Sequence, residues 1–82
     1  MSREHLNGYV QVCKSVAKCN GKVEMDYTIS GLLLVGDMEV SCNGKKYNCD
    51  KLEICYNGIM LYKGNERTPM VYGTIESFDI GI

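Results

Sequence analysis

The stretch SCNGKKYNCDKLEICYNG, Ser41–Gly58, carries three of the chain's five cysteines and two of its four Asn-Gly pairs. Read as chemistry it is a metal or disulfide cluster. Read as structure it is a run of strands and the turns between them. The spacing favours strands, because zinc sequences bring thiols together in close pairs such as C-x-x-C and this chain has none. Asn-Gly is the strongest short hairpin signal, since both residues accept the positive φ of a type I′ turn. Asn43-Gly44 and Asn57-Gly58 are therefore predicted turns, with Asp50-Lys51 a weaker one between them.

Working outward, one face can be followed through successive hairpins, because paired residues share a side of the sheet. Val23, Met25, Tyr27 and Ile29 alternate with Lys22, Glu24, Asp26 and Thr28, the period of a half-buried strand. Across a turn at Ser30-Gly31 the face continues as Leu32, Leu34, Gly36, Met38, Val40 and Cys42, with Gly36 a bend or bulge. It passes through Lys45, Tyr47 and Cys49, then Leu52, Ile54 and Tyr56, then Ile59, Leu61 and Lys63. A one-residue slip would turn all of these outward, so the register is strongly specified. After a polar loop, KGNERTP, a last strand is expected over Met70–Phe78.

Ahead of the strands, Leu6, Tyr9, Val10, Cys13, Val16 and Ala17 recur at helical spacing, which predicts a helix over about residues 2–19. Ser2 would cap its start and Asn20-Gly21 its end. Gly8 is a flaw in it, worth about 1 kcal/mol relative to alanine. The expected class is α+β, one domain over residues 1–82. Its N-terminal helix packs on a strongly bent antiparallel meander of five to six strands, over about residues 22–78. A small SH3-like or Sm-like barrel would also satisfy that outline.

Composition narrows the function. The net charge is −1, so the basic excess that neutralises a nucleic-acid backbone is missing and nucleic acid is not an expected partner. The longest uninterrupted apolar run, LLLV, is far too short to span a membrane, and MSREHLNGYV has no signal-peptide core; a cytoplasmic location is expected. Reduced thiols follow from that setting. In the inferred register Cys49 pairs with Met38, which puts it on the order of 13 Å along the strand from Cys42. A shared metal or a disulfide between them is excluded on that spacing, and no metal or other cofactor is expected.

No nucleotide-binding fingerprint is present, and the single histidine, His5, is poorly placed for a triad. No catalytic residues are assigned, and the expectation is not an enzyme. The face opposite the core is mostly charged, except for Leu33, Val35, Cys55, Met60 and Tyr62. That apolar band is the candidate interface, with Cys55 expected opposite Met60. Its rival is a band covered by the chain's own tail, MVYGTIESFDIGI. Tyr9, Tyr27, Tyr47 and Tyr56 map to the core face. The expected function is a small binding protein acting through a protein–protein interface, with a protein partner or a homo-oligomer. Inhibition of a host enzyme by a phage or mobile-element protein, of the anti-defence type, is the narrower form. The alternative is an oligomeric binder of a small nucleotide, using Lys45, Lys46 and Tyr62.

Overall fold

A computed structural model describes residues 3–82, with side chains from residue 7 onward. Helix α1 (Arg3–Lys18) leads into β1 (Glu24–Tyr27), β2 (Gly31–Cys42), β3 (Lys45–Cys55), β4 (Gly58–Lys63) and β5 (Glu66–Val71). A single 3-10 turn (Tyr72–Thr74) then leads to β6 (Phe78–Gly81). Ser2 and the side chains of His5 and Leu6 lie outside the described residues. β1 to β5 form an antiparallel meander, so the α+β class and the meander are both present. β1 pairs with Leu32–Val35 of β2, and β6 with Glu39–Cys42, so the two share one edge of the same long strand. Among the described residues β5 pairs with β4 alone and β6 with β2 alone; the sheet is open, and the barrel closure that the outline also allowed is not formed.

The turns show how the pattern was right in parity and wrong in detail. Asn43-Gly44 is the expected hairpin, with φ of 52° and 83°, both in the left-handed region that type I′ requires. Its side chain also fastens the return to β6: Asn43 Nδ2 donates to the Thr74 carbonyl (2.6 Å), and Oδ1 accepts from Glu76 N (2.6 Å) and Ser77 N (3.2 Å). Asp50-Lys51 is not a turn. β3 runs through it, and the face switches because β2 bulges between Val35 and Met38. The irregularity includes Gly36, the expected bend or bulge, and it also shifts the register of β3. The first turn is Ile29-Ser30, closed by paired bonds between Thr28 and Gly31, not Ser30-Gly31. The fourth is Tyr56-Asn57, not Asn57-Gly58. Each of these moves the pairing by two, which preserves the side on which every residue lies. Cys55 consequently pairs with Gly58, and Glu53, not Cys55, lies opposite Met60. The expected loop KGNERTP is instead mostly strand: Lys63 pairs with Glu66 around Gly64-Asn65, and Pro69 is tolerated because β5 is an edge. The expected strand over Met70–Phe78 is broken by the 3-10 turn.

The core contains the predicted Leu34, Met38, Val40, Cys49, Leu52, Ile54, Ile59 and Leu61. Tyr72, Ile75, Phe78 and Ile80 join them from the C-terminal segment, so that tail closes the inner side of the sheet and leaves the outward apolar band uncovered. Helix α1 packs on this segment, against the 3-10 turn and β6. Its buried residues are Gly8, Val12 and Ser15, continued by Cys19 just past its end. At 100° per residue that face is turned by about 130° from the predicted apolar arc. Small side chains explain the rotation. A Cβ on Gly8 would lie 1.5 Å from the Tyr72 carbonyl oxygen, so the helix backbone rests directly on the turn. Ser15 Oγ donates to the Phe78 carbonyl (2.8 Å), and Lys18 pairs with Asp79.

Burial also sets a pH dependence. Loss of solvation pushes the Cys49 thiol up from 9.0 to about 11, and raises Cys19 and Cys42 in the same direction. A folded-state pKa above the unfolded value means that the folded protein holds its proton longer. The corresponding stability is complete below about pH 9 and is lost as pH rises toward about 11. Thermal melts across that range should fall in Tm, and Cys49→Ala should flatten the slope. An unchanged slope in that variant would remove Cys49 as its source.

Candidate binding groove

Because α1 is rotated, its predicted apolar arc does not face the core. Tyr9, Val10, Cys13 and Ala17 are exposed and Val16 is half-buried. These residues would be stranded on a solvated face, except that the sheet leaves apolar surface uncovered beside them. β1, the Ile29-Ser30 turn and the ends of β2 and β3 run past the helix. Together they enclose a groove of about 490 Å³. One wall is Tyr9, Val12, Cys13, Val16 and Ala17 of α1. The other is Tyr27, Leu32, Ile54 and Tyr56, with Ser30, Gly31 and Cys55 at the end. No lining residue is a lysine, arginine, aspartate, glutamate or histidine.

The walls differ in rigidity. Tyr9 is held edge-on against the buried Tyr72 ring (5.5 Å between centroids, 90° between planes). A hydrogen bond with Cys13 holds the Tyr9 phenol above its ordinary 10.0. Tyr27 and Tyr56 stand free, 84% and 79% exposed, and Ile29 at the turn is fully exposed. Three of the four tyrosines mapped to the core face are therefore at the surface, and only Tyr47 is half-buried. Tyr27 and Tyr56 do lie on that side of the sheet, beyond the part that the helix and C-terminal segment cover, whereas Tyr9 is carried outward by the rotation of α1.

No protein-family model matches the chain, and no curated protein or solved structure shows significant similarity to it.

The sequence-predicted band is only partly assembled. Leu33 and Met60 flank Glu53 in one cross-strand row, and Val35 and Tyr62 flank Lys51 in the next, so charge interrupts the apolar surface. All four are half-buried. Tyr62 donates its hydroxyl to Glu53 Oε1 (3.0 Å), which raises its phenol above 10.0, and the Arg67 guanidinium lies 5.9 Å over its ring. Cys55 is at the groove instead. The basic corner divides as well. Lys46 and Tyr62 share a recess of about 270 Å³ with Lys63 and Glu66, whereas Lys45 lines a separate one beside Pro69 and Met70. The Glu66 carboxylate in the first recess opposes a phosphate there.

All five cysteines are free thiols. Met38 pairs with Cys49 as inferred, and among the described residues no group of three or more His, Cys, Asp or Glu side chains is placed to hold a metal. Among them also, no helix is long and apolar enough to cross a membrane.

Sequence reasoning missed Tyr9, Tyr27, Ile29 and Tyr56 as surface residues. The available signal was the row Gly8, Val12, Ser15, Cys19. Three small residues at helical spacing mark a face able to approach another backbone closely, and that leaves the larger arc for something else.

Proposed function

We propose that this chain is a non-catalytic binding protein whose recognition surface is the groove between α1 and the β1–β2 turn. One observation supports this above the others. Of seven exposed large apolar residues among those described, Tyr9, Tyr27 and Tyr56 line a single uncharged recess, and Ile29 adjoins its rim residue Ser30 in the turn. Scattered apolar side chains are ordinary on a surface, but a contiguous patch marks an interaction site. Tyrosine suits such a role because it offers a large rigid area and a polar tip. A small molecule fits less well, since ligand pockets enclose most of what they bind and Tyr27 and Tyr56 stand open to solvent. The narrower form of the reading, a phage or mobile-element inhibitor that covers a host enzyme, would use the same groove.

A photo-crosslinking residue placed at Tyr56, with another at Glu66 on the far edge strand as control, tests the reading in extracts of the source cell. A protein adduct of defined mass from position 56 alone, lost when Tyr27→Asp is added, is the expected result. Adducts of equal yield from both positions, or none from either, would remove the groove as the recognition surface.

A further inference from the structure

We propose that the groove is filled by a second copy of this chain, in a two-fold dimer; this rests on the groove being the recognition surface. A two-fold interface is made by one patch meeting itself, so it needs a projection beside a recess. The β1–β2 turn provides both. Ile29 projects from it fully exposed, with Tyr27 at its base, while Ser30 and Gly31 of the same turn form the rim of the recess. Hairpin tips normally carry Gly, Asn, Asp or Ser, which suit tight turns and water alike. Isoleucine at such a tip is suited to burial.

Charge points the same way. Foreign partners are commonly steered and selected by complementary charge, and the recess presents none. Two copies, each of net charge −1, bring no formal charges together across it. Area agrees as well. Tyr9, Tyr27, Ile29 and Tyr56 together expose on the order of 600 Å² at typical side-chain areas. Val10 lies about 20° around the helix from Ala17 and extends the patch along α1. The total approaches the roughly 800 Å² per partner of a standard interface.

Sedimentation velocity of the full chain, from micromolar to submillimolar concentration with a thiol reductant present, is the test. The reductant prevents a Cys13 disulfide from imitating association. The wild type should pass from monomer to dimer across that range. Ile29→Asp and Tyr56→Asp should each weaken association by about thirtyfold or more, the size expected for a central apolar anchor. Glu66→Ala, on the far edge, should leave it unchanged. Both residues are exposed in the monomer, so far-UV circular dichroism should show the fold intact in each variant. A monomer at every concentration overturns the second copy as occupant, as does a dimer that persists in both aspartate variants. Crosslinks from Tyr56 to a different protein, from a chain that stays monomeric, would likewise overturn the dimer while leaving the groove as recognition surface. A monomer without crosslinks would remove both.

Discussion

Gly8→Ala should destabilise the fold by about 3 kcal/mol, a fall in Tm of roughly 15 °C for a domain of this size. Helix propensity alone gives the opposite sign: alanine in a helix interior is better than glycine by about 1 kcal/mol. The structure decides between them. An added Cβ would sit 1.5 Å from the Tyr72 carbonyl oxygen, 2.4 Å from its carbonyl carbon and 2.9 Å from its Cα. These are backbone atoms of the 3-10 turn, and no side-chain rotamer can relieve the overlap. The helix must lift or the turn must move. Movement of the turn would disturb the bonds by which Asn43 holds Thr74, Glu76 and Ser77. Denaturant melts of the two proteins would measure the difference. A more stable alanine variant would mean that α1 does not rest on the turn as described.

The second large effect is at the other side of the same joint. Tyr72 heads the fully buried side chains by size, and its ring is flanked by Tyr9. Burial drives its phenol well above 10.0, which describes a hydroxyl kept from bulk water. Tyr72→Ala should cost about 4 kcal/mol, as large aromatic truncations in cores do. Total stabilities of small domains are about 5–15 kcal/mol, so a large share of the fold's stability would be gone. Loss of the ring also frees Tyr9, one fixed wall of the groove. Since both substitutions loosen the same joint between α1 and the 3-10 turn, one through backbone and one through the ring, the double variant should lose less than the sum of the two singles. Strict additivity in urea melts would show that the helix and the turn are energetically separate.

Much of the fold was legible from alternation alone. The inward residues Leu34, Met38, Val40, Cys49, Leu52 and Ile54 were recoverable because β-strand side chains have a period of two and hairpins conserve parity. The turn at Asn43-Gly44 was legible because its chemistry permits few other conformations. The turns at Ile29-Ser30 and Tyr56-Asn57 were misplaced by one residue because Gly31 and Gly58, which look like turn residues, are used as strand residues. The continuity of β3 was hidden because a bulge and a turn shift the face in the same way. The candidate site was hardly legible. Cys55 was singled out, but beside the wrong neighbours, and Tyr9, Tyr27 and Tyr56, which line the groove, were assigned to the core face together with Ile29.

By itself, then, the chain's alternation determined which residues of each strand look inward, and its lack of basic excess argued against nucleic acid. Only the tertiary structure decided which part of the inward face is covered. Hydrophobic periodicity measures how apolar a face is, whereas helix docking also depends on how closely two backbones can approach. Gly8, Ser15 and Cys19 allow α1 to seat on the C-terminal turn and β6, and that contact fixes its rotation. The larger apolar side chains of the helix are thereby turned toward Tyr27 and Tyr56, where they form a groove in place of a core.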